Sequence, residues 1–179
     1  MINIKNKDED NISKCLILGK SYYNCIDDLI QNESVLKMNR FIQHGNTTCL
    51  EHCINVSYMN YKICKALNFD YKSAARAGLL HDFFLYDWHI KKNNKFFEMH
   101  AFTHSRIALV NAEKIFNLND IEKDMIIKHM WPVNIKLPKY KETYVIIISD
   151  KVACMMELIK LLDIKNKVLK FRDFVMNSY

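Results

Sequence analysis

Turn-forming residues are scarce: the 179-residue chain has three glycines and two prolines, and both prolines, Pro132 and Pro138, fall in one short stretch. A many-stranded fold needs more turn residues than this, which excludes sandwiches and barrels in favour of long helices with short links. Long apolar runs are also missing. Even a run such as Tyr144 to Ile148 falls far short of the ~20 residues that span a bilayer. The polar stretch Met1 to Asp10 mixes acid with lysine and has no apolar segment behind it, unlike a signal peptide, so the expected compartment is the cytoplasm. None of the six cysteines (Cys15, Cys25, Cys49, Cys53, Cys64, Cys154) belongs to a Cys-x-x-Cys pair, which removes zinc-ribbon and thioredoxin-like readings. Reduced cysteines acting as small buried residues fit that compartment. The formal charge of +6 arises from lysines spread along the chain, with no basic block or arginine stripe. That pattern argues against a nucleic-acid surface and suits an anionic small-molecule partner.

Half of the residues are hydrophobic and 26% are charged, as in an ordinary globular domain, and the length allows one core rather than two. The expected fold is all-α, a single-domain bundle of about six to eight helices. Apolar positions at helical spacing (Leu16, Ile17, Tyr22, Tyr23, Ile26, Leu29, Ile30) predict a helix over 14–31. Residues 44–48 read as a loop. Thr48 with Glu51 forms a capping-box pattern opening a long helix to about Leu67, and Asp70 caps another that ends at His81-Asp82. Residues 85–99 read as irregular and 101–116 as helix. Asn119 with Glu122 repeats the capping box, and Trp131-Pro132 interrupts the pattern. Residues 141–161 and 164–176 read as the last two helices, although the Val-Ile-Ile-Ile run favours strand by propensity.

Within this helical pattern, metal-ligand residue types recur as His52, His81-Asp82, His104, His129 and Asp150, spaced 21 to 29 residues apart. Each gap is about one helix plus a connection, so a bundle can bring one residue from each helix to a common point. Imidazole and carboxylate together suit borderline or hard divalent metals. Singly, each has a plainer explanation. His52 reads as a hydrogen-bonded core histidine, His104 as an exposed helix residue, and His129 as a favourable charge at a helix C-terminus. Asp150, closing an apolar run, reads as a cap or a salt-bridge partner. His81 and Asp82 project about 100° apart from a helix end and reach one ion together, and a buried Asp82 without a cation or donor would be costly. Jointly, the five positions point to a metal site.

The order His52, His81-Asp82, Asp150 resembles the HD-domain superfamily of metal-dependent phosphohydrolases over about residues 44–160. The strings Leu50-Glu51-His52-Cys53, Gly78-Leu79-Leu80-His81-Asp82 and Ser149-Asp150-Lys151 carry the resemblance. Residues 41–46 and 128–132 are similar to a bacterial branch of that superfamily. The resemblance implies an HD core at 44–160, an N-terminal helical extension (1–43) packed on it, and a C-terminal helix (161–179) of the same domain. It further implies a pair of divalent transition-metal ions (Fe, Mn, Ni, Co or Zn). His52, His81, Asp82 and Asp150 would hold the first. Asp82 would bridge to a second held by His104 and His129, as in the binuclear HD-GYP phosphodiesterases and bacterial diadenosine tetraphosphate hydrolases. The implied activity is hydrolysis of a phosphate monoester, diester or anhydride, most naturally of a nucleotide. Metal-activated hydroxide would be the attacking group, a divalent ion lowering the pKa of bound water toward ~7.

The Gly-Tyr-Pro signature is absent and Phe83-Phe84 replaces Gly-Lys, which argues against cyclic-dinucleotide substrates. Leu85 stands where HD nucleotidases carry a carboxylate, with Asp87 the nearest acid. His100, four residues before His104, is placed to protonate a leaving group or support the ligand shell. His44 can touch phosphate. Lys91, Lys92 and Lys95 can meet phosphate, and Trp88 offers a stacking face for a base. Arg106 and Lys128 read as solvated charges. The competing function is a non-catalytic HD module that binds a nucleotide or partner as a sensor, and the intact ligand set favours the enzyme.

Overall fold

Three expected helix starts form as their sequence dictates in the computed structural model, which describes residues 4–87, 94–133 and 135–176. Side chains are described for 8–87, 103–133 and 135–162. Thr48 and Glu51 exchange both capping-box hydrogen bonds at the start of α4 (Cys49–Ala66): Thr48 N donates to Glu51 Oε2 over 2.8 Å, and Glu51 N donates to Thr48 Oγ1 over 3.2 Å. Asp70 caps α5 (Tyr71–Leu80), and Asn119 with Glu122 boxes α7 (Asp120–Lys128). The remaining helices are α1 (Ile4–Leu18), α2 (Lys20–Ile30), the single turn α3 (Glu33–Leu36), α6 (Asn94–Glu113) and α8 (Lys141–Met176). With one small hairpin as the sole sheet among the described residues, the fold is an all-α single domain. No helix among those residues is long and apolar enough to cross a membrane.

The core is organised by α4 against α5. Gly78 of α5 sits directly on the α4 backbone: a Cβ there would lie 2.6 Å from Ser57 Cα and 2.7 Å from Asn60 Nδ2. The approach is fastened by polar groups that would otherwise be buried without partners. Ser57 Oγ donates to the Ala75 carbonyl (2.7 Å), Asn60 Nδ2 donates to the Ala74 carbonyl (3.3 Å), and Tyr22 of α2 donates to Ser57 Oγ (2.9 Å). Arg76 then joins three helices, its Nε donating to Glu122 of α7 and its Nη1 to Asp28 of α2.

Asp124 of α7 accepts from Thr143 Oγ1 (2.7 Å) and from the Lys139 backbone (2.9 Å), fixing where α8 begins. Lys128 pairs with the same carboxylate, so it is not the solvated charge expected of it. The (i, i+4) spacing that places the two on one face was available in the sequence.

Three element boundaries differ from expectation. The helix predicted over 14–31 is two helices separated at Gly19, whose φ of 129° is closed to an ordinary helical residue. The segment read as a loop at 44–48 contributes to an antiparallel hairpin, β1 (Ile42–His44) with β2 (Thr47–Thr48), turned at Gly45-Asn46. The last two predicted helices are one continuous α8, because no glycine or proline stands between 161 and 164. Val145, Ile146 and Ile147 are buried within it, and packing overrides their strand propensity.

Replacing Gly78 by alanine should force α4 and α5 apart. Overpacking of this kind costs about 1–3 kcal/mol, expected as a lowered melting temperature by circular dichroism. A melting curve identical to wild type would show that the approach is looser than described.

Candidate metal centre

Five helices converge on one point at positions set by their ends. His52 lies one turn into α4, His81 is the residue that caps α5, and His129 is the residue that caps α7. His104 comes from α6 and Asp150 from the third turn of α8. His52 and His81 are fully buried, and Asp82 keeps 3% of its exposure.

The two terminal histidines are oriented by the same device. His81 Nδ1 lies 2.9 Å from the Gly78 carbonyl, and His129 Nδ1 lies 2.8 Å from the Ile126 carbonyl. A carbonyl only accepts, so each ring carries its proton on Nδ1 and aims the Nε2 lone pair inward. Each bond also satisfies a carbonyl that the helix end leaves unpaired.

Asp82 stands between two groups of imidazoles. Its Oδ2 lies 3.4 Å from His81 Nε2, while its Oδ1 lies 3.5 Å from His104 Nε2 and 3.6 Å from His129 Nε2. On the Oδ2 side, Asp150 Oδ1 lies 3.1 Å from His52 Nε2 and 3.6 Å from His81 Nε2. On the Oδ1 side, the Nε2 atoms of His104 and His129 are 3.0 Å apart. Two imidazole nitrogens sharing one ion at about 2.0–2.1 Å lie roughly 3–3.4 Å from each other, so this spacing fits ligation.

Polar atoms without partners make the stronger case. His81 Nε2, Asp82 Oδ1 and Gln43 Oε1 are buried and have no hydrogen-bond partner. An unpaired buried carboxylate oxygen is costly, and a cation beside it and the His81 lone pair removes that cost. The sets His52/His81/Asp150 and His81/Asp82/His129 each bring three ligand atoms within 4.8 Å of one another. These buried groups can hold a metal ion.

Without a cation, protons must offset the carboxylates. Burial opposes charge on His52, but its bonds to Asp150 and Glu157 outweigh burial and lift its pKa well above the usual imidazole range. His81 is lifted likewise, against burial, chiefly by the charge of Asp82. Burial works against the Asp82 carboxylate, yet the facing histidines, His81 foremost, hold its pKa down at about 2. Asp150 is held well below the carboxylate range against burial by His52 and His81. His129 goes the other way: burial, then the charge of His81, lowers it to about 4.

Of the residues expected from sequence, His52, His81, Asp82, His104, His129 and Asp150 thus meet in one cluster. His44 stands beside it, its Nε2 3.1 Å from Cys154 Sγ and its ring edge-on to His52. Trp88, Lys91 and Lys92 lie outside the described residues. Lys95 and His100 belong to α6, but their side chains are outside those described.

Sequence reasoning passed over three supporting groups. Glu157 accepts from His52 Nδ1 (3.1 Å to Oε2), and its signal was the seven-residue spacing from Asp150, two turns along one helix face. Gln43 donates from Nε2 to Asp82 Oδ2 over 2.7 Å. No local pattern marks it. Cys154 lies one turn beyond Asp150, 3.8 Å from its carboxylate.

A cavity of about 540 Å³ opens over the cluster. Asp82, His104, His129, Asp150 and Gln43 form its polar end, and Trp131, Val133, Met155 and Leu158 are among its apolar walls. Compared with protein-family models, with curated proteins and with solved structures, the chain matches none.

A metal bound here should stabilise the fold by mass action. Zinc or manganese added to chelator-treated protein at a hundredfold excess over Kd should add about 2.7 kcal/mol, read as a raised melting temperature. Glu157→Ala should weaken affinity roughly 10- to 100-fold in chelator competition, since it removes the acceptor that orients His52. A melting temperature indifferent to every divalent transition ion would contradict the assignment.

Proposed function

We propose that the chain is a metal-dependent phosphohydrolase of the HD type, acting on an organic phosphate. In this reading, His52, His81, Asp82 and Asp150 would hold one divalent transition-metal ion, and Asp82, His104 and His129 would hold a second. The observation that supports it is the division of Asp82: one carboxylate oxygen faces the His81 side, and the other, without a hydrogen-bond partner, faces His104 and His129. The order His52, His81-Asp82, Asp150 and its similarity to the HD pattern add to that support.

When bound, such ions acidify a water toward neutral pH and offset charge on phosphoryl oxygens. The chain's own residues supply the rest. The Gly78 and Ile126 carbonyls hold His81 and His129 in the ligating tautomer, Gln43 restrains Asp82, and Glu157 restrains His52. Lys151 and His44, which line the cavity, meet the anionic substrate. Overall, a water oxygen bonds to phosphorus, the ester oxygen–phosphorus bond breaks, and the organic oxygen leaves with one proton of that water.

His81→Ala and Asp82→Ala should each lose bound metal and all measurable turnover on a panel of phosphate esters and anhydrides. His104→Ala and His129→Ala should keep a single ion per chain by elemental analysis and lose most activity. Full turnover in either of the first two variants, or in metal-free protein, would refute the hydrolase. Metal and ligand binding without turnover on any substrate would identify the non-catalytic sensor instead.

A further inference from the structure

The cavity over the metal cluster is chemically divided. Its ligand-bearing end is polar, while Met130, Trp131, Pro132, Val133, Met155 and Leu158 line the remainder. Three of these are large apolar side chains left in solvent: Val133 is 42% exposed, Met155 56% and Leu158 49%. Trp131 is braced by an edge-on contact to Tyr144, with ring centroids 6.4 Å apart. Away from the cluster, Lys151 is the one charged side chain lining the cavity among the described residues. Its Nζ reaches the Trp131 and Ile147 carbonyls, each at 3.5 Å, which keeps it at the rim of the apolar wall.

We propose that this cavity takes a phosphate ester with a single phosphoryl group and an apolar body, of the aryl or alkyl phosphate class. The proposal rests on the phosphohydrolase reading and deepens it. A polyphosphate tail would lay charge against Val133, Met155 and Leu158. A sugar would surrender its hydroxyls' hydrogen bonds to water with no side-chain partner on that wall, a cost for each hydroxyl left unpaired. An aryl or alkyl group instead covers apolar surface that is otherwise wet. Its volume also fits: cavities of ~300–1,000 Å³ enclose most of a small ligand, and this one is about 540 Å³. The reaction remains hydrolysis. Water's oxygen joins phosphorus, the phosphorus–oxygen bond to the organic group breaks, and the aryl or alkyl alcohol departs with a proton from that water.

The test uses the full chain loaded with manganese. The kcat/KM for 1-naphthyl phosphate should exceed those for glucose 6-phosphate and adenosine triphosphate by at least tenfold. Met155→Gln and Leu158→Gln alter positions that keep 56% and 49% of their exposure, and each should raise KM for 1-naphthyl phosphate about tenfold. A non-hydrolysable mimic, 1-naphthylmethylphosphonate, titrated by calorimetry, separates the two readings. If it binds the wild type and loses affinity in both variants while no ester is cleaved, the cavity assignment stands and the hydrolase fails. If glucose 6-phosphate or adenosine triphosphate is cleaved as well as the naphthyl ester, the hydrolase stands and the apolar assignment is overturned. If the phosphonate does not bind, the apolar assignment is likewise overturned.

Discussion

The buried carboxylate of Asp82 is the constraint around which the rest of the structure is arranged. A charge that keeps 3% of its exposure must be met by donors or cations. Gln43 supplies one hydrogen bond, and no donor pairs with the other oxygen. Around it stand four imidazoles and two further carboxylates, Asp150 and Glu157. With the imidazoles neutral, as ligation requires, the cluster carries three negative charges and nothing within it to offset them. Protons on His52 and His81 supply the offset in the metal-free chain, which is why those two pKa values rise despite burial. Cation and proton therefore compete for the same lone pairs. Such a cluster is tenable where a metal is the usual occupant and is costly as a mere packing device.

Rigid helix ends rather than loops hold this arrangement. His81 and His129 both close helices, and both spend Nδ1–H on the carbonyl three residues back. One bond thus satisfies the helix end, selects the tautomer and fixes the ring. The positions of those ends depend in turn on contacts far from the His/Asp cluster. Gly78 admits α5 onto α4, Arg76 links α5 to α7, and Asp124 sets the start of α8, from which Asp150 projects in the third turn. These contacts set the helix positions from which His81, His129 and Asp150 project.

Much of this was legible in the sequence, for local reasons. Thr48 with Glu51, Asp70, and Asn119 with Glu122 state three helix starts outright, because a cap is written in residues a few places apart. The ligand series was legible because each helix contributes at about its own length. Features that depend on distant packing were not. Gly19 splits a periodic stretch that apolar spacing alone joins, and α8 runs on where a break was expected. Gln43 reaches Asp82 only because the hairpin packs against α4 and α8, a contact between residues 39 positions apart. Glu157 carried a faint signal, two turns from Asp150, that gains meaning only once α8 is known to lie along α4 beside His52.

Helix α8 shows how one element serves both the His/Asp cluster and the cavity wall. Asp150, Cys154 and Glu157 fall at i, i+4 and i+7, and they face His52 and His44. Lys151, Met155 and Leu158 repeat the same spacing one residue later and line the cavity. A helix turns about 100° per residue, so the two stripes lie side by side, one reaching into the cluster and the next bordering the space above it. Residues on the first stripe are restrained by partners on α4 and the hairpin, and changing them disturbs buried charge. Those on the second, Met155 and Leu158 among them, keep about half of their surface exposed. The buried His/Asp cluster and the apolar cavity wall thus draw on adjacent lines of a single helix.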